Sequence, residues 1–392
     1  MSWQVGFSDL TSEQQKIVEL STEEHHLVLG PVGSGKTLLL LHRAAYLAEK
    51  HGTAQEDVRI FVLTDILRES TKLGLRSLNL PEEMVFTFDD WCRFFFRSNI
   101  SENLPRVYID GRIDFEKTRL GVLEALKKRP ELRGSLDIAL VDDGQDLPPE
   151  GYDILKFSAR HITVFADSHP RIFRRGDIFS GIMDRRLGDF QKTLLSGHHR
   201  NSRNVSQLAS YFLADEEARD EYLEGSLPGG EGSEKPLLYV APSFEHEIDR
   251  LADAVLQRQF GGESLGIVIP NDRLVHRTAK ELSDRRVFSE KAIVGTAQNV
   301  VHAPVDFSNN LPKITTYSMA RGLTFDSVFL PHLTDDSFSG IETETRQAWL
   351  FHGIARARKW VYLSTVKGQE MAEFSLMKAA KAKNHLVIQY KS

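Results

Sequence analysis

Residues Gly30 to Thr37 read Gly-Pro-Val-Gly-Ser-Gly-Lys-Thr, a glycine-rich turn that closes on a lysine and a hydroxyl. That set of residue types suits one task, the holding of phosphate. Gly30, Gly33 and Gly35 permit backbone conformations that turn main-chain N–H groups into one concavity around Ser34. A helix starting there adds its positive dipole end. Lys36 would reach the β- and γ-phosphates, and the Thr37 hydroxyl would ligate Mg²⁺. ATP with Mg²⁺ is the expected ligand. A glycine-rich turn that merely carries a lysine is the bland alternative. The flanking residues argue against it: Leu27-Val-Leu29 reads as a buried strand, and Leu38–Leu41 with Ala44, Ala45 and Leu47 reads as a buried helix.

A second constellation completes the first. Ile138-Ala-Leu-Val141 leads into Asp142-Asp143-Gly144-Gln145-Asp146. An apolar strand that ends in acids supplies the other half of such a site. Asp142 would hold Mg²⁺, usually through water, and Asp143 would position the attacking water. Aspartates are also common at ordinary turns; the pairing with Gly30–Thr37 favours the functional reading.

The elements that must position these groups follow from apolar patterning. Strands are expected at 27–29, 60–63, 138–141, 162–165, 237–240, 265–269, 314–316, 328–330 and 361–363. Helices are expected at 12–20, 37–49, 89–97, 115–127, 149–158, 204–213, 246–259 and 274–285. Alternation of this kind predicts α/β architecture with parallel, doubly wound sheets. The strands exceed one compact sheet, so two domains are expected, 1–191 and 192–392. The first would carry a small helical insertion at about 97–137. The second would carry a flexible Gly/Ser/Pro loop at about 225–236 and no large insertion.

The chain has 392 residues, 41% of them apolar and 27% charged, as in an ordinary globular protein. Its single cysteine, Cys92, excludes an intrachain disulfide, sits in an apolar helical segment and reads as a core residue. The start, Met1-Ser-Trp-Gln4, is not a signal peptide, and no run approaches the roughly 18 apolar residues that span a bilayer. A cytoplasmic protein with no membrane partner is expected. A net charge of −6 argues against a coat of DNA-binding charge but leaves room for a local basic groove.

With both constellations in place, the chain resembles the UvrD/Rep/PcrA group of superfamily 1 DNA helicases along nearly its whole length. Leu10–Val18 is similar to the family's Q motif, which implies that Gln14 reads the adenine edge. Thr64 and Thr87-Phe88 fall where the family contacts DNA. Asp142–Asp146 resembles D-E-x-Q-D, with Gln145 a nucleotide-contacting position. Phe165-Ala-Asp167 through Phe173 resembles the third motif. His198-His-Arg200-Asn-Ser resembles N-Y-R-S, and Gly353-Ile-Ala-Arg356-Ala resembles V-x-x-T-R-A. Arg200 and Arg356 are thereby implied as charge stabilisers. Thr316–Phe325 resembles T-x-H-S-x-K-G-L-E-F, with Gly322 a further nucleotide-binding position. The resemblance implies two RecA-like P-loop domains, ATP held between them, and single-stranded DNA as partner.

The departures form a pattern. Asp143 replaces the family's glutamate, one methylene short, and about 1 Å of misplacement costs on the order of a hundredfold in rate. Pro170 replaces a γ-phosphate-sensing glutamine, Asp65 an aromatic, Tyr317 a histidine that a stacking tyrosine could replace, and Thr324 a glutamate. Phe173-Arg174-Arg175 replaces a tryptophan. The accessory insertions are reduced or absent.

The functional expectation is a UvrD-like ATP hydrolase of helicase or translocase type acting on single-stranded DNA, slow or weak at unwinding. The alternative is a non-translocating ATP switch or assembly subunit in a DNA repair or anti-phage defence complex with a nuclease partner. Arg171, Arg174, Arg175, Arg185 and Arg186 form a basic patch, read equally as phosphate contacts or as a solvated loop. His25-His26 and His198-His199 lack the partners of a metal site. Asp215–Glu224 is helix-like and solvated, and Lys378, Lys381 and Lys383 read as solvated charge.

Overall fold

Continuous apolar runs such as Ile138–Val141 and Leu265–Ile269 are what parallel strands covered on both faces require, and they build two all-parallel sheets. The computed structural model describes residues 5–51, 58–107, 113–167, 186–197, 200–226, 234–293 and 305–391. The chain divides into two compact units, one dominated by Gly35–Leu195 with Ser2–Gly30, the other by Ser196–Ser392.

The first unit holds strands β1 (His26–Gly30), β2 (Val58–Val62), β3 (Val85–Thr87), β4 (Leu136–Val141), β5 (Ala159–Asp167) and β6 (Gln191–Leu194), ordered β3-β2-β4-β5-β1-β6. Its helices are α1 (Ser12–Val18), α2 (Lys36–His51), α3 (Asp65–Ser77), α4 (Phe88–Asn99), α5 (Phe115–Lys128) and α6 (Pro149–Ser158). Side-chain caps start several of them: Thr11, Thr64, Thr87 and Asp114 each accept a backbone N–H of the first turn, an arrangement worth about 1 kcal/mol per cap. Leu27, Phe61, Phe88, Trp91, Val122 and Ile162 are buried together, Phe61 meeting Trp91 edge-on at 5.7 Å between ring centres. Cys92 is in that core, fully buried.

Between α4 and β4 the described residues hold α5 and a single 3-10 turn. Arg119 fastens α5 to the body through Glu150 at 2.6 Å and Asp89 at 2.7 Å. No described helix of either unit is long and apolar enough to cross a membrane.

The second unit contains α7 (Arg203–Ser210), α8 (Glu216–Glu224), β7 (Leu237–Ala241), α9 (Phe244–Phe260), β8 (Leu265–Ile269), α10 (Asp272–Asp284), β9 (Glu290–Ala292), β10 (Lys313–Thr316), β11 (Phe325–Leu330), α11 (Thr343–Ile354), β12 (Ala357–Val366), α12 (Phe374–Ala382) and β13 (Val387–Tyr390). The sheet order is β13-β7-β12-β11-β8-β10-β9. Ile248, Leu251, Ile267, Phe329, Trp360 and Tyr362 share its core. Between β7 and β10 the described residues hold α9, β8, α10 and β9.

Candidate functional site

The site of the first unit is set by strand register. Strands β4, β5 and β1 lie side by side and parallel, so their carboxyl ends face the same way. Gly30, the last residue of β1, is the cross-strand partner of Asp167, the last residue of β5. Val141 of β4 pairs with Val164 of β5, which brings Asp142 to the same edge. Carboxyl ends of parallel strands are where open α/β sheets bind ligands.

From Gly30 the chain turns into α2. Gly33 and Gly35 both have φ near +91°, where a side chain would be strained. At Gly35 the restriction is conformational, since a Cβ there would meet only Gln14 Nε2 at 3.5 Å. The helix begins with Leu39 N–H donating to Gly35 O at 2.9 Å. Lys36, 7% exposed, places its ammonium 2.8 Å from Asp167 Oδ1 and donates to Gly30 O at 2.9 Å. Both acceptors come from the cross-strand pair just described.

Thr37 Oγ1 donates to Asp142 Oδ2 at 2.8 Å. Asp142 is anchored by its own N–H on Phe61 O. Its other oxygen, Oδ1, is buried and has no hydrogen-bond partner among the described residues. Burial, then the charge of Asp143, pushes its carboxyl up to about 7, against the pull of Thr37 and Lys36. A buried, half-satisfied carboxylate is costly, and a divalent cation would relieve that cost. Hard oxygens from one hydroxyl and one carboxylate fit Mg²⁺, which prefers few protein ligands. The residues present therefore suit the metal expected from the sequence.

Asp143 adopts φ +48°, ψ +48°, a left-handed conformation costing on the order of 1–3 kcal/mol, less for aspartate than for most residues. Gly144 follows because nothing larger fits: a Cβ would lie 2.2 Å from Val164 Cγ1. Tyr152 Oη donates to Gly144 O at 2.6 Å. Gln145 works in two directions. Its Nε2 donates to Asp143 Oδ1 at 3.3 Å, and its Oε1 accepts the Asp167 N–H at 3.0 Å. Gln14 lies in α1, where Oε1 accepts Thr11 N–H in a capping box while Nε2 faces Gly35.

In the second unit Arg200, Gly322 and Arg356 are drawn together. Arg356, 6% exposed, donates to His352 O at 3.2 Å and to Leu323 O at 3.4 Å, just after Gly322 with its φ of +72°. Arg200 donates to Ala355 O at 3.4 Å. Asn201 Nδ2 bridges Ala355 O and Ala357 O at 2.9 and 2.6 Å, and Ser202 N–H donates to Arg358 O at 2.7 Å. A strap from distant sequence is thus laid along the start of β12. Burial pushes the Tyr222 phenol up to about 12, opposed by its Ser206 contact and by both Arg200 and Arg356. Both guanidinium groups thus lie within electrostatic reach of one phenol.

Other expected positions have internal duties. Thr64 and Thr87 cap α3 and α4, and Asp65 pairs with Arg68 at 2.9 Å. Tyr317 is not free to stack on a base: it is 3% exposed and stacked on Trp349 with ring centres 5.5 Å apart. Arg186 pairs with Asp153, His25 Nδ1 accepts Ile162 N–H, and Lys378 lies over Phe374. Pro170, Arg171, Phe173, Arg174, Arg175, Arg185, His198 and His199 lie outside the described residues. Asp167 as the partner of Lys36 was missed by sequence reasoning. Like Asp142 it is an acid closing a buried apolar strand, a local pattern that does not say which residue it meets.

Residues 10–110 match the UvrD/REP helicase N-terminal domain. Among solved structures, the C-terminal domain of a possible DNA helicase from Lactobacillus plantarum WCFS1 is 15% identical, over 48% of this chain and 98% of that one, with a TM-score of 0.35. A chain of the S. cerevisiae Dbp5 complex with Nup159, Gle1, IP6 and ADP is 14% identical, over 98% of this chain and 91% of that one, with a TM-score of 0.48. No curated protein matches the chain significantly.

Proposed function

We propose, from a first unit that resembles the UvrD/Rep helicases over residues 10–110, that the chain is a cytoplasmic, slow ATPase of two RecA-like units that moves on single-stranded DNA. The observation that carries the reading is the Thr37–Asp142 pair at 2.8 Å beside Lys36, with one carboxylate oxygen left unshared. Main-chain donors of Gly30–Thr37 and the Lys36 ammonium bind the β- and γ-phosphates. Mg²⁺ held by Thr37 and Asp142 supplies charge neutralisation on those phosphates. Asp143 takes the proton of the attacking water, and its short side chain, fixed by Gln145, sets the slow rate. Gln14 turns Nε2 to the adenine, because Thr11 already uses Oε1. Arg200 and Arg356 are the guanidinium pair assigned to the transferring charge.

ATP turnover measured with and without single-stranded DNA tests this. Strong stimulation that disappears in Lys36→Ala supports the motor; nucleotide binding without DNA-dependent turnover removes it.

A second reading has its own support. Tyr317 is buried on Trp349, and Asp65, an exposed acid paired with Arg68, would repel a strand's phosphates. Both residues favour a non-translocating ATP switch in a DNA repair or anti-phage defence complex with a partner such as a nuclease. In that case ATP binding changes what co-purifies with the chain, and DNA leaves turnover unchanged.

A further inference from the structure

We infer that Asp167 is the counter-ion that holds Lys36 until a triphosphate displaces it, and that its release is relayed to Asp143 through Gln145. The inference rests on the ATP-binding reading above. Lys36 is nearly buried, and its ammonium lies 2.8 Å from Asp167 Oδ1. The same ammonium must contact the incoming phosphates. A carboxylate and a γ-phosphate so close to one cation repel each other, so binding of ATP is an exchange of anions rather than a simple addition. ADP, which lacks the γ-phosphate, demands less of that exchange.

The exchange has a route to the reacting centre. The Asp167 N–H donates to Gln145 Oε1 at 3.0 Å, and Gln145 Nε2 donates to Asp143 Oδ1 at 3.3 Å. Asp143 is held in a left-handed conformation that depends on its surroundings. A shift at the end of β5 therefore reaches the carboxylate assigned as base through one side chain. Asp167 is a positioning residue here, acting through Lys36 and Gln145.

Asp167→Asn keeps the shape and removes the charge. Equilibrium binding of Mg·ATP and Mg·ADP to the full chain, followed by calorimetry, is the test. ATP is expected to bind about tenfold more tightly in Asp167→Asn, with ADP changed less, so that the ATP-to-ADP preference rises. A merely structural role would weaken both nucleotides together. Asp167→Ala, checked by its melting temperature, should shift the preference in the same direction. If wild type binds ATP and Lys36→Ala does not, yet Asp167→Asn and Asp167→Ala leave the preference unchanged or lowered, the counter-ion role is overturned and the ATP site stands. If wild type binds no ATP, or Lys36→Ala binds it equally well, both ideas fall.

Discussion

The Thr37 hydroxyl donates to Asp142 Oδ2 at 2.8 Å across 105 positions of sequence, joining the first turn of α2 to the end of β4. The pair gives a prediction with two opposite signs. Asp142→Asn should abolish Mg²⁺-dependent ATP turnover, because the metal loses its anionic ligand. The same change should leave the metal-free protein as stable or more so, by about 1–3 kcal/mol, since a buried anion with an unshared oxygen becomes neutral. Denaturant titrations with and without Mg·ATP check it: wild type should gain stability from the ligand, and Asp142→Asn should not.

Asp143 sits at φ +48°, and glycine tolerates that conformation freely. Asp143→Gly should therefore cost no stability and add up to about 1 kcal/mol, while lowering kcat by about a hundredfold or more through loss of the base. Asp143→Glu should raise kcat with little change in KM, since it restores the missing methylene. A drop in kcat for Asp143→Glu would show that Gln145 has already placed the shorter carboxylate correctly.

Gly144 faces Val164 across a gap that admits no Cβ, the clash being 2.2 Å. Gly144→Ala should destabilise the first unit by about 1–3 kcal/mol. Adding Val164→Ala removes the atom that clashes, so the double variant should lose less than the sum of the two single losses. Additive losses in a double-mutant cycle would mean that the glycine serves another purpose.

The apolar runs mark every inner strand of both sheets and miss every edge strand. The edges are β3, β6, β9 and β13, with sequences such as Gln191-Lys-Thr-Leu194 and Glu290-Lys-Ala292. A strand bonded on one side only is covered less fully, so no continuous apolar run is demanded of it. Helix α3 escapes for a related reason: its buried face includes Ser70, Thr71 and Gly74, which thin the apolar stripe. In the site, the Gly30–Thr37 turn and the acids after β4 are each legible as local runs of sequence. The Lys36–Asp167 pair is not, because it depends on β1 lying beside β5, which no local pattern states.

Arg43 of α2 is fully buried and is satisfied largely by neutral acceptors: Val18 O, Leu20 O, Thr163 Oγ1 and His161 Nε2. Because a guanidinium only donates, His161 Nε2 must accept, which fixes the imidazole as neutral. Burial first, and then the Arg43 charge, pulls the His161 pKa from 6.5 down to about 3. Its folded pKa lies below its unfolded one, so the unfolded chain binds the extra proton. Stability from this group is fully present above pH 6.5 and is lost as pH falls toward 3, at up to about 1.4 kcal/mol per pH unit. Denaturant unfolding at pH 7, 6 and 5 should show that loss, and His161→Gln should flatten the slope between pH 6 and 5. Arg43→Ala, by stripping donors from several buried acceptors at once, should cost about 3–5 kcal/mol at pH 7. It should also raise the His161 pKa, visible in its imidazole NMR titration if the variant folds, and as a shallower pH slope of unfolding in any case.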